Sequence, residues 1–229
     1  MSDIAANLQA VLARIAAAAR ECGRDPASVR LLAVSKTWPA ECLLPAIAAG
    51  QQAFGENYVQ EGVDKIAALA GRSLEWHFIG PLQSNKTRLV AAHFDWVHSI
   101  ERMKIAERLA EQRPAGKSPL NVCLQVNVSG EASKSGCAPE EAVALAKAIA
   151  ALPNLRLRGL MCIPEPAEDV EAQRRPFRQL RELYEQLRAE GLPLDTLSMG
   201  MSHDIEAAIA EGATMVRVGT AIFGERSKA

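Results

Sequence analysis

The chain has 229 residues, 48% hydrophobic and 23% charged, with a formal net charge of −1; this is an ordinary globular composition without the basic excess of a nucleic-acid-binding protein. No apolar stretch nears the ~20 residues of a membrane span, and Met1-Ser2-Asp3-Ile4 has no basic leader region, so neither a membrane partner nor a signal peptide is expected. The five cysteines (Cys22, Cys42, Cys123, Cys137, Cys162) lack C-x-x-C spacing; reduced thiols in a cytoplasmic protein are expected, with Cys123 and Cys162 buried in strands, and no metal site.

Ile4, Leu8, Val11, Leu12 and Ile15 recur at helical spacing and predict a helix over 2–22, closed at Cys22-Gly23. Leu31-Leu32-Ala33-Val34 is a continuous apolar run, typical of a strand buried on both faces, and predicts the first strand at 30–36, ending at Lys36. Pro39 opens a helix to residue 50 with Leu43, Leu44 and Ile47 inward. Strands follow at 53–55, 74–79 and 96–100, with helices at 59–69, 83–90 and 101–113. The second half repeats the pattern, with strands at 120–128, 155–163, 195–199 and 214–218 and helices at 139–152, 170–190 and 205–211. In the longest helix, Phe177, Leu180, Leu183, Tyr184 and Leu187 are the apolar set; Arg174, Arg175, Arg178, Arg181 and Arg188, interleaved with glutamates, read as a solvated face.

Eight strands, nearly all followed by a helix, imply parallel pairing with right-handed crossovers. The expected fold is α/β, a single (β/α)8 TIM-type barrel at 30–224 behind an extra N-terminal helix at 1–22, one domain over 1–229. An open doubly wound sheet competes, but no G-x-G-x-x-G follows the first strand.

Barrel chemistry gathers at the carboxyl ends of the strands. There this sequence places Lys36, Asn57, Gly80, Ser99, Asn127, Met161, Met199 to Ser202, and Gly219-Thr220. A desolvated lysine amine can form a Schiff base with a carbonyl; the plainer reading is a strand-end lysine reaching water. Ser198-Met199-Gly200-Met201-Ser202 and Arg217-Val218-Gly219-Thr220 end strands seven and eight, where barrels commonly bind phosphate. Ser202 could also cap the helix that follows. Arg217 projects into the mouth and needs a partner: a carboxylate such as Glu206 or Glu225, or an aromatic ring nitrogen. Lysine, phosphate cup and inward arginine together fit pyridoxal 5′-phosphate (PLP), with the aldehyde at Lys36, the phosphate at Ser202, Gly219 and Thr220, and the pyridine nitrogen at Arg217. Arginine would leave that nitrogen unprotonated and the ring a weak electron sink.

Val34-Ser35-Lys36, Phe54-Gly55-Glu56-Asn57, the run from Trp76 to Lys86, Gly159-Leu160-Met161, Ser198 to Ser202 and Arg217 to Gly224 resemble the pyridoxal phosphate homeostasis (YggS/PROSC) family over essentially the whole chain. The resemblance implies a barrel similar to the N-terminal domain of alanine racemase. It also implies PLP held as a covalent aldimine on Lys36, Asn57 near the ring, and cofactor contacts from Met199, Ser202, Arg217, Gly219 and Thr220. The implied function is intracellular PLP homeostasis in the cytoplasm, with delivery to PLP-dependent apo-enzymes and no established catalysis; a monomer is the expected state. A weak PLP-dependent amino-acid racemase is the alternative, and a class I aldolase using Lys36 directly on a sugar phosphate is a third, which gives Arg217 no role. Racemases need a tyrosine base, and the chain has only Tyr58 and Tyr184, both expected to be packing residues. His77 is expected to be a hydrogen-bonded core residue. Gln83, Asn85 and Lys86 fall on the rim, and Lys134, in the loop after strand five, could accept PLP in transit or simply be solvated.

Overall fold

A computed structural model describes residues 3–130 and 135–225. Eight parallel strands close into a barrel in sequence order: β1 (Arg30–Val34), β2 (Ala53–Glu56), β3 (Glu75–Phe78), β4 (Trp96–Ile100), β5 (Leu120–Gln125), β6 (Leu155–Met161), β7 (Thr196–Ser198) and β8 (Met215–Val218), which pairs back onto β1. The helices are α1 (Ile4–Glu21), α2 (Leu44–Ala48), α3 (Val59–Ala68), α4 (Thr87–His93), α5 (Met103–Gln112), α6 (Pro139–Ala150), α7 (Val170–Ala189), α8 (Ile205–Ala210) and α9 (Thr220–Phe223). The fold is therefore the expected TIM-type barrel with a helix ahead of its first strand. Among the described residues no helix is long and apolar enough to cross a membrane.

Each strand face meets a different core, which is why Leu31-Leu32-Ala33-Val34 of β1 reads as an unbroken apolar run. Leu31 and Ala33 of β1 point out and join the large cluster beneath the helices, whereas Leu32 and Val34 point in with Ala53, Ile79 and Met215. Trp96, Cys123 and Met161 form a second small cluster inside the barrel. Burial raises the Cys123 and Cys162 thiols to about 12, so neither is a thiolate at neutral pH.

Three local expectations need correction. The segment after Pro39 begins as a 3₁₀ turn, Ala40–Leu43, before α2; the change of pitch swings Leu44 outward while Leu43 stays buried. The helix expected at 83–90 starts at Thr87, because 83–86 form a turn closed by the Lys86 N–H donating to the Gln83 carbonyl at 2.9 Å. Part of the arginine face of α7 is structural rather than solvated: Arg174, Arg178 and Arg181 converge on Glu211, buried at the C-cap of α8, at 2.8, 3.1 and 2.9 Å.

Burial works to raise the Glu211 pKa, but the three guanidinium groups outweigh it and hold the carboxyl below its usual range. A depressed carboxylate stabilises the fold above its unfolded pKa, near ~4.3, and that stabilisation fades as pH falls through the folded value. Glu211→Gln is expected to lower stability at pH 7 by about 1–2 kcal/mol and to flatten the decline below pH 5 in urea unfolding. Parallel pH profiles for the two proteins would remove this role.

Candidate functional site

Lys36, Asn57, Ser202, Arg217, Gly219 and Thr220 line one cavity of about 200 Å³ at the carboxyl end of the barrel, with Val34, Ile79, Ile163, Met201 and His203 completing the wall. A larger depression of about 560 Å³, around Trp38, Glu61 and Lys65, lies outside the barrel mouth and holds none of these six.

Strand alternation places Lys36. Leu32 and Val34 point into the barrel, and Lys36 continues their face. The strand is stopped by Thr37, a non-glycine residue at φ 68°, whose N–H donates to Glu61 Oε1 at 2.5 Å. Ser35 points the opposite way and donates to Glu56 Oε1 at 2.6 Å. Lys65 of α3 closes the arrangement, its ammonium donating to the Ser35 carbonyl at 2.7 Å, to Glu56 at 2.7 Å and to Glu61 at 2.6 Å. A buried ion network thus pins the backbone on both sides of Lys36.

Arg217 is 4% exposed and rises from β8 into the barrel. Neither expected carboxylate partners it: Glu206 is bound instead by Arg14 of α1, with both contacts at 2.6 Å. The Arg217 guanidinium donates to Ser198 Oγ and to the Cys162 carbonyl, each at 2.8 Å. It makes no ion pair among the described residues, although the Asp204 carboxylate acts on it at longer range, so a buried cation faces the cavity without a counter-charge in contact.

Two glycines are close-approach positions. A Cβ on Gly219 would sit 2.9 Å from the Val34 carbonyl oxygen, and one on Gly80 would sit 2.2 Å from that of Asn57. Gly219 leaves the first turn of α9 open at the cavity, where Thr220 begins the helix. Ser202 does not cap α8; Asp204 holds that place and instead accepts from the Met201 N–H at 2.6 Å. The Ser202 carbonyl accepts from Arg14 at 2.8 Å, so the N-terminal helix ties down the loop that brings Ser202 to the cavity.

Met199 does not line the cavity. It lies one residue beyond inward-facing Ser198 and is buried in the outer core; Met201 reaches the wall instead. Tyr58 is 57% exposed rather than packed, whereas Tyr184 is buried with its hydroxyl donating to the Leu194 carbonyl at 3.0 Å. Neither tyrosine lines the cavity. Gln83, Asn85 and Lys86 are exposed on the loop before α4, and Lys134 lies outside the described residues. His77 is fully buried and hydrogen-bonded, as expected, with partners His98 and Glu75. Lys65 and His98 are not singled out by the sequence and Glu56 and Ser198 enter only inside longer motifs, although period-two alternation from Trp96 marks His98 as an inward candidate.

The cavity suits an aldehyde-bearing aromatic phosphate. It offers one amine, hydroxyls and an uncovered helix start for an anion, and a permanent donor for a ring acceptor. The buried Asn57 Oδ1 has no hydrogen-bond partner, which leaves an acceptor free for a ligand.

Fold and cavity define a TIM-type barrel that brings a lysine, two hydroxyls and a buried arginine to one cavity. A family model for the alanine racemase N-terminal domain matches residues 6–227, and the chain belongs to that family, among its pyridoxal phosphate homeostasis proteins. It is 66% identical to the protein of that name from Pseudomonas aeruginosa over 99% of this chain and 97% of the relative, and 58% identical to that of Escherichia coli over 99% and 98%. Among solved structures it is similar to PipY of Synechococcus elongatus with PLP bound, at 41% identity and TM-score 0.81, covering 93% of this chain and 100% of that one. Alanine racemase from Corynebacterium glutamicum, at 19% identity, TM-score 0.71 and 62% of its length, shares the fold.

Proposed function

We propose that this protein binds PLP in the barrel mouth, holds it covalently through Lys36, and passes it to PLP-dependent apo-enzymes in the cytoplasm. The observation that carries the reading is the convergence of Lys36, Ser202, Arg217, Gly219 and Thr220 on one cavity. The family's name and the PLP-bound PipY support it. The bound cofactor supplies an aldehyde carbon for the lysine and a ring able to delocalise charge. Ser202 and Thr220 offer hydroxyls to the phosphate, and the backbone at Gly219 and α9 offers N–H donors. Arg217 would donate toward the ring nitrogen and would not give up a proton, which would leave the ring in its weakly electron-withdrawing form. Asn57 would offer its unpartnered carbonyl oxygen to the bound group. The weakly electron-withdrawing ring and a cavity wall that includes neither tyrosine support storage rather than turnover.

The test is hand-over. Purified protein saturated with PLP and freed of excess is mixed with a PLP-requiring apo-enzyme. Reactivation faster than from an equal amount of free PLP is expected. A protein that takes up no PLP overturns binding, and one that binds but never reactivates the acceptor overturns delivery. Exchange of the Cα proton of alanine at a steady catalytic rate would favour the racemase reading. Gly219→Ala is expected to weaken PLP binding about tenfold, because the added Cβ pushes the phosphate loop away from Val34; titration followed by absorbance measures it, and an unchanged dissociation constant would remove Gly219 from the phosphate site.

A further inference from the structure

A line of polar side chains runs through the barrel interior from its amino-terminal end to the cavity. Glu75 opens it at the start of β3, its side chain 34% exposed and one oxygen accepting from Arg30 at 2.8 Å. The same oxygen is 2.7 Å from His77 Nε2, and His77 Nδ1 is 2.8 Å from His98 Nε2. His98 Nδ1 is 2.8 Å from Ser198 Oγ, which accepts from Arg217 at 2.8 Å. His77, His98 and Ser198 are fully buried, and Trp96 stacks on His77 at 5.2 Å. The line crosses from β3 and β4 to β7 and β8, on opposite sides of the closed barrel.

The two ends fix its direction. Arginine can only donate and an ionised carboxylate can only accept. Glu75 accepts, so neutral His77 carries its proton on Nε2 and accepts at Nδ1. His98 then carries its proton on Nε2 and accepts at Nδ1, and Ser198, which accepts from Arg217, turns its own proton there. Every member has one role and one neutral tautomer. Burial keeps His77 and His98 neutral, the charges on Arg217 and Arg30 adding to this at His98, while the carboxyl of Glu75, against the pull of burial, is held below its ordinary range by His77 and Arg30.

We infer that Glu75, His77, His98 and Ser198 are positioning residues: a one-way hydrogen-bond chain from the barrel floor that sets the orientation of the Arg217 guanidinium in the cavity. Its consequence for a ring nitrogen rests on the PLP reading above; the chain itself does not. Reversal costs all four links together, so the guanidinium is held by a cooperative unit rather than by one hydroxyl. Truncation at the floor, on the far side of the barrel from the cavity, is then felt at the cavity.

The test uses long-range nitrogen–proton correlation spectra of the full chain with labelled histidine, with and without PLP. His77 and His98 are both expected as the neutral Nε2–H tautomer; Nδ1–H on either overturns the direction. Glu75→Leu removes the terminal acceptor and is expected to leave the two histidines in mixed tautomers. It should also raise the PLP dissociation constant about fivefold and displace the visible band of the loaded protein. Glu75→Gln, whose carbonyl can still accept, should restore all three signals. If Glu75→Leu does not fold, Ser198→Ala cuts the same chain at its other end and should loosen PLP while leaving the His77 tautomer in place. Wild-type tautomers and cofactor spectrum in Glu75→Leu, or, where only Ser198→Ala folds, an unchanged PLP dissociation constant and cofactor spectrum, would overturn the inference. A wild type with the expected tautomers that takes up no PLP would defeat the PLP reading and leave the chain standing.

Discussion

Lys36→Ala is expected to abolish the visible absorption band of the PLP-loaded protein while leaving the fold intact. Lys36 belongs to the inward face of β1 only at its very end, past the last paired residue, Val34. The residues that build the wall beneath it, Leu32 and Val34, are untouched by the change. The phosphate cup at Ser202, Gly219 and Thr220 also survives, so the variant should still bind PLP, without the covalent link. A loss of at least about 100-fold in affinity is expected, equivalent to about 2.7 kcal/mol. Two measurements decide it: absorbance of loaded wild type and variant after gel filtration, and borohydride reduction followed by peptide mapping. Reduction should fix PLP on the peptide containing Lys36 in the wild type and on none in the variant. A variant that keeps its colour, or a modified peptide elsewhere, would move the attachment to another amine.

The architecture was readable because barrel strands are covered on both sides. Leu31-Leu32-Ala33-Val34 has no polar position to interrupt it, and eight strand patterns separated by helical ones close a barrel, although β3, β4, β7 and β8 also carry the buried polar residues His77, His98, Ser198 and Arg217. The same property hid the direction of each side chain. A run apolar on both faces does not announce which residues look inward, and Met199, which the resemblance places at the cofactor, lies in the outer core because Ser198 beside it faces inward. Buried charge was hidden for a different reason. Lys65 sits in a helix that reads as amphipathic, and Arg174, Arg178 and Arg181 sit among glutamates. Nothing in the spacing says that Lys65 turns back under Ser35 or that the arginines meet Glu211 from another helix. Such pairings depend on tertiary approach. Lys36, Asn57, Ser202, Arg217, Gly219 and Thr220 were readable because each lies at or just beyond the carboxyl end of a strand, a place set by topology.

Lys65→Met is expected to be the most destabilising single change in the site region, by about 3–5 kcal/mol, because it removes the cation from a buried network and leaves its anion behind. For a chain of this length that is roughly 10 °C in Tm. Glu56 is fully buried with one oxygen already lacking a partner, and burial raises its pKa even though Lys65 and Ser35 pull it down. Without Lys65 the carboxyl has to take up a proton on folding. A carboxyl whose folded pKa is raised weakens the fold as pH rises above its unfolded value. The deficit of Lys65→Met should therefore shrink when urea unfolding is moved from pH 8 to pH 5, opposite in sign to the behaviour of Glu211. Lys65→Met with Glu56→Gln removes the orphaned charge and should recover half or more of the loss at pH 8, a coupling that a double-mutant cycle reads directly. The same network holds the backbone on both sides of Lys36 through the Ser35 carbonyl and the Thr37 N–H. The single variant should thus also bind PLP more weakly than the double. If the two variants are equally unstable at both pH values, the lysine acts through packing of its stem, and the electrostatic account of how Lys36 is positioned fails with it.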